Sequence, residues 1–315
     1  MTNLMPQILR SQIFYGLSTT DRSKNNLKWW LEGGNFTFST STTKSFEICA
    51  LNNEEILKTI CHDISRFSSS AIESIANIAD EPTFPKSNGW MSIRVYYSAF
   101  FAAHSLLRMY GWSCSYFNTN SMSLVNATLL SQYPGSKKIS DGNYILKLRR
   151  SGSNIYIDAK DIDSSHAGLW KCFYDLLEEL QNSIAKLTSF TSDDKNDCVA
   201  FLVKLSNRIK KGNNKGWLST IRNEINYNHS MNSWTVNHEK KSTDNNNIKI
   251  YADKWKKTCG LELFSDGLDD KIEFIETSSI IIAMMKDLII SIYEVDKTNF
   301  LRHTTIPSLR HFIQI

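Results

Sequence analysis

Apolar residues recur at three- and four-residue steps over most of the chain, the spacing that gives an α-helix one buried stripe. The first stripe is long: Ile56, Ile60, Ile64, Phe67, Ala71, Ile75 and Ile78. Asn53 stands before the acidic pair Glu54 and Glu55, which places an N-cap there, and Pro82-Thr83-Phe84-Pro85 ends the helix. A second helix is expected from Ser87 to Tyr110, stopped by Gly111. Its aromatic residues (Tyr96, Tyr97, Phe100, Phe101) alternate with small ones (Ser98, Ala99, Ala102, Ala103) that let another helix approach closely, so the rings read as core. A third stripe runs Leu169, Phe173, Leu176, Leu180, Ile184 and Leu187, and a shorter fourth Val199, Leu202, Leu205 and Ile209. After the break at Gly212-Asn213-Asn214-Lys215-Gly216, Trp217, Leu218, Ile221 and Ile225 form the buried side of another helix. A last long helix carries Ile272, Ile275, Ser279, Ile282, Met285, Ile289 and Ile292.

Three stretches depart from this period. Ile145-Leu146-Lys147-Leu148 and Ile155-Tyr156-Ile157 flank a polar turn, Arg149 to Asn154, and predict a β-hairpin with Arg149 and Arg150 near its tip. Phe36-Thr37-Phe38 and Phe46-Glu47-Ile48 make the first fifty residues partly β, and Ile248-Lys249-Ile250-Tyr251 reads as a short strand. The fold expected is mainly α, a helical bundle over 54–295 with a β-containing insertion at 112–166. A partly β extension over 1–53 precedes it, and a tail over 296–315 docks or frays.

Composition changes this picture little. At 315 residues, with 41% hydrophobic and 22% charged positions, the chain can bury a large core. A formal charge of +4 permits a nucleic-acid partner without arguing for one, so any basic surface has to be local. Six scattered cysteines show no paired spacing and no Cys/His cluster, the pattern of a reduced cytoplasmic protein without a metal site; no cofactor motif is visible either. The most apolar segment, Ile280 to Ile292, is interrupted by Lys286 and Asp287 and is too short to span a bilayer, so no membrane partner is expected.

The candidate chemistry lies in Arg222-Asn223-Glu224-Ile225-Asn226-Tyr227-Asn228-His229. On a regular helix seven residues at about 100° each return nearly to the starting azimuth, so Arg222 and His229 leave one face, with Asn226 between them. A guanidinium suits an anionic phosphate, an imidazole suits proton transfer near neutral pH, and Asn223 and Asn226 can orient either. Upstream, Arg208, Lys210, Lys211 and Lys215 form a basic cluster able to track an RNA backbone. His104 reads as a hydrogen-bonded interior histidine, and Arg94 as a partner for an acidic group of the first helix.

Two of these stretches, taken in order, resemble the HEPN superfamily of α-helical bundles, many of whose members are ribonucleases or toxins. Arg94-Val95-Tyr96-Tyr97 through Leu106-Leu107 is similar to that family's aromatic helix. Arg222-Asn223 through His229 looks like its Arg, four to six residues, His motif with a polar residue after the Arg. The resemblance covers about 54–111 and 167–295. It implies a metal-independent endoribonuclease that uses the RNA 2′-hydroxyl to attack the adjacent phosphate. Single-stranded RNA or tRNA would be the substrate, a homodimer would pair the two Arg222 helices, and an antitoxin or other defence-system protein would be a further partner. Host defence or a toxin role follows from the same resemblance. A non-catalytic HEPN scaffold that binds RNA or protein is the alternative. Some members carry a modifiable Tyr two positions after the His; here that position is Met231, so that chemistry is not carried over.

Overall fold

The computed structural model describes residues 4–78, 88–228, 231, 233–234 and 242–314. In chain order the elements are α1 (Met5–Arg10), α2 (Leu27–Glu32), β1 (Phe36–Ser41), β2 (Ser45–Ala50), α3 (Asn53–Ile75), α4 (Gly89–Met109), β3 (Trp112–Phe117) and α5 (Thr119–Gln132). Then come β4 (Gly142–Ser151), β5 (Asn154–Ile162), α6 (Ser165–Ala185), α7 (Ser192–Ile209), α8 (Trp217–Asn223), α9 (Ser242–Ala252), α10 (Asp270–Val295) and α11 (Thr305–Phe312). The chain is mainly helical.

The long stripes are all helical faces, and they converge. Helix α4 packs against both α3 and α10, and α6 lies against α7 and α8. Ile56, Ile60, Ile64, Ala71 and Ile75 of α3 are buried, as are Ile275, Ile282, Met285 and Ile289 of α10. Each isoleucine or methionine among them contributes about 1.5–3 kcal/mol by leaving water. The cap of α3 is one residue earlier than the sequence predicts. The Asn52 side chain accepts from the Glu54 and Glu55 amides, at 2.9 and 3.1 Å. Asn53 instead ties the helix to the hairpin, its Oδ1 accepting from the Ile155 amide and its Nδ2 donating to the Ser153 carbonyl. The Pro82–Pro85 stop lies outside the described residues.

The hairpin forms as expected, β4 and β5 closing through Ser151 opposite Asn154 with Gly152 at φ 58°, a value two-residue turns require. The N-terminal β segment and the insertion, separate in the sequence, share one antiparallel sheet in the order β1-β2-β5-β4-β3. Period-two alternation explains how: Phe46 and Ile48 of β2 lie opposite Ala159 and Ile157 of β5, and Leu146 and Leu148 of β4 continue the same buried face. The other face is charged. There Arg149 bonds Glu47 at 2.9 Å and lies 3.6 Å from Asp158; Arg150, on the same face as Leu148 but at the end of the strand, sits over the Tyr15 ring.

The Ile248–Tyr251 segment is helix, not strand. In α9, Ile248 and Ala252 share the buried side while Ile250 is exposed, a period-four pattern hidden inside four residues that also fit period two. The tail docks rather than frays: Thr305 of α11 hydrogen-bonds Ser68 of α3 at 3.0 Å. Among the described residues no helix is long and apolar enough to cross a membrane.

Candidate functional site

Helix α8 is short because the chain changes pitch. Trp217, Leu218 and Ile221 are buried as the stripe requires, but Glu224–Asn228 form a turn of π-helix around buried Ile225. A π-turn adds a residue per loop and recurs at functional positions. The regular α spacing that aligns Arg222 with His229 therefore ends at Asn223. His229 itself lies outside the described residues, so its side chain is not placed beside Arg222 or away from it. The Ile225 carbonyl accepts from the Trp234 indole N–H at 2.5 Å, which fastens the π-turn to the following segment. A side chain at Gly89 would collide with the Trp234 ring, so the start of α4 and this segment fit together only with glycine there.

Arg222 lies half-buried at the edge of the core. One terminal nitrogen, Nη2, donates to the Tyr97 hydroxyl at 2.7 Å, and Nη1 donates to Asn223 Oδ1 at 3.0 Å. Nε is buried with no hydrogen-bond partner among the described residues, and the guanidinium faces the rings of Tyr97 and Tyr227 at 5.7 and 5.6 Å. Among the described residues no carboxylate pairs with it. Asn223 thus orients Arg222, and Asn226 is half-buried on the π-turn.

Tyr97 is the residue that sequence reasoning assigned only to packing, and it brings a second group into the site. His166, at the start of α6, lies against Tyr96, Tyr97 and Phe100. Its Nδ1 is 2.9 Å from the Tyr96 hydroxyl. That hydroxyl accepts from the Trp170 indole at 3.2 Å, which directs its own proton to His166; burial pushes its pKa up to about 12, so it keeps that proton. Burial first, and the Arg222 charge second, hold the imidazole below its ordinary range. A neutral His166 with Nδ1 as acceptor carries its proton on Nε2. No local pattern marks His166, because its partners stand about seventy residues upstream on another helix.

The remaining candidates fall elsewhere. His104 is interior and hydrogen-bonded, its Nδ1 3.2 Å from Arg108 Nη1. Arg94, expected to meet an acidic group of the first long helix, donates to the Ser74 and Ala76 main-chain carbonyls at that helix's C-terminal end. In the basic cluster, Arg208 pairs with Glu273 at 2.9 Å, Lys211 with Glu273 and Asp270, and Lys215 with Asp175 at 2.7 Å, while Lys210 lies over the Tyr174 ring. Three of the four positions, Arg208, Lys211 and Lys215, therefore carry less uncompensated charge than their sequence suggests. Among the described residues no group of His, Cys, Asp and Glu is placed to hold a metal.

Comparison with known proteins returns no match. No family model, no curated protein and no solved structure matches the chain.

The Tyr97–Arg222 bond gives a direct test of how the guanidinium is held. Tyr97→Phe keeps the ring and removes the acceptor, so unfolding stability should fall by about 1–3 kcal/mol, as expected for a lost hydrogen bond to a charged group. Urea denaturation of the two proteins checks it; an unchanged midpoint would mean that the hydroxyl does not hold Arg222 in solution.

Proposed function

We propose that the chain is a metal-independent endoribonuclease of the HEPN type, with Arg222 binding the scissile phosphate and His229 transferring the proton. One observation carries the reading: a half-buried guanidinium held by a phenol, an amide and two rings, with no carboxylate among the described residues to neutralise it. A partly desolvated cation in that setting gains most from an external anion, and its planar fork matches phosphate. The π-turn adjoining it and the position of α8 at the edge of the core support the same reading. Homodimerisation across α8 would bring two copies of the motif to one cleft, and an antitoxin or defence-system partner would restrain it.

The chemistry asked of the residues is limited. The 2′-hydroxyl attacks phosphorus, the 5′-oxygen leaves, and the products are a 2′,3′-cyclic phosphate and a 5′-hydroxyl. His229 moves the proton, a role worth about 10²–10⁴-fold, while Arg222 offsets charge on the phosphoryl oxygens. The test is purified full-length protein with tRNA and single-stranded RNA in EDTA. Cleavage to cyclic-phosphate ends is the expected result. Intact RNA, with binding retained, would replace this reading by the non-catalytic scaffold.

A further inference from the structure

A cavity of about 480 Å³ opens between α3, α4, the start of α6 and the β3 edge, apart from the Arg222 fork but sharing His166 with its surroundings. Its charged and imidazole-bearing lining residues are Lys28, Arg66, Arg108, Asp63, His104 and His166. The one carboxylate is already engaged: Asp63 Oδ1 accepts from Arg66 at 3.1 Å and Oδ2 from Arg108 at 3.2 Å. Arg108 is almost fully buried, 2% exposed, and is fixed further by its bond to His104. Lys28 has only a long contact, 4.0 Å, with Glu32.

Both imidazoles present the same kind of atom. Arg108 can only donate, so His104 Nδ1 accepts from it and the His104 proton sits on Nε2. The Tyr96 hydroxyl fixes His166 in the same tautomer. Burial, reinforced by neighbouring arginines, holds both below their ordinary range, so near neutral pH they are uncharged N–H donors. Three cations against one engaged carboxylate, with two imidazole donors beside them, leave the lining with an excess of positive charge and of N–H donors. Such a lining selects a ligand built of acceptor oxygens. Phe67 lies under the guanidinium groups of Arg66 and Arg108, at 4.0 and 4.4 Å from its ring centre, and adds an aromatic contact to both. Tyr116, 58% exposed, adds an aromatic surface to the lining.

We propose that this cavity binds a nucleoside phosphate: the phosphate against Arg66, Lys28 and the Arg108–His104 pair, the base toward Tyr116. The volume lies within the range of small-molecule sites and is ample for one such ligand. A free nucleotide and the 5′-phosphorylated end of an RNA strand offer the same chemistry. The site does not depend on cleavage at Arg222, and its test reads binding alone.

The experiment titrates full-length protein with AMP and, in parallel, with 5′-phosphorylated tetra-adenylate, by calorimetry at low salt. Lys28 and Arg66 are partly exposed, so the double variant Lys28→Met/Arg66→Gln should fold; Lys28→Met alone is the second variant should it not. Saturable binding by wild type, weakened about 10-fold or more in the variant, is the expected result, as for loss of charged hydrogen bonds. The tighter of the two probes then names the source. Failure of both probes to bind wild type, or equal binding by the variant, overturns the site.

Discussion

Arg222→Ala should lower kcat/KM for RNA cleavage by about 10²–10³-fold, the effect of deleting one fixed donor to a developing oxyanion. The fold should survive the change. Arg222 contributes one hydrogen bond to Tyr97 and one to its neighbour Asn223, so its removal costs on the order of 1–3 kcal/mol, against a total of about 5–15 for a natural domain. Arg222→Lys sharpens the result. It keeps the charge but loses the planar fork, so activity near that of the alanine variant would show that geometry rather than charge is used. His229→Ala should fall by a similar factor, and the double variant by little more than the worse single one, because groups acting on one step are not additive. The assay is initial rates on a labelled single-stranded RNA in EDTA. Wild-type rates from Arg222→Ala would end the ribonuclease reading.

Glu276→Ala should destabilise the protein by about 3–5 kcal/mol, the cost of stripping one partner from a buried ion pair. Glu276 sits in the second turn of α10 with 0% exposure. Its carboxylate accepts from Lys254 and from the Ser265 amide at 3.1 Å, with Arg208 3.9 Å away. Lys254 is itself buried and also donates to the Leu263 carbonyl at 2.6 Å. Without Glu276 the ammonium keeps its desolvation cost and loses its counter-charge. Lys254→Met combined with Glu276→Leu should recover much of the loss, since apolar replacement of both partners removes the unpaired charge. Urea unfolding of wild type and the two variants measures this; a loss below about 1 kcal/mol for Glu276→Ala would mean water reaches the pair.

Helices were legible wherever their apolar positions kept a long period. Ile56 to Ile75 announces itself by burying one continuous side, and Ile272 to Ile292 by a long apolar run buried on nearly every side. The Ile145–Ile157 hairpin was legible for the same reason at period two. Shorter or non-local features were not. Four residues, Ile248 to Tyr251, fit two periods equally, and packing of Ile248 and Ala252 decided for helix. The choice between Asn52 and Asn53 as cap turned on a contact with Ser153 and Ile155, a hundred residues on. In the site, Arg222 was visible as a residue type, but its partner Tyr97 and the neighbouring His166 come from α4 and α6. The π-turn leaves no mark on composition, and it alters the spacing on which the motif argument relied.

The shared sheet has a consequence for synthesis. Strand β2, finished by Ala50, finds its neighbour β5 only once Ile162 has left the ribosome. For that interval one edge of the first two strands hangs open, with Phe46 and Ile48 lacking the partners that later cover them. Pairing across so wide a gap in the chain is slow, so nascent fragments ending before β5 should be the aggregation-prone species, and chaperone demand should drop as soon as that strand emerges.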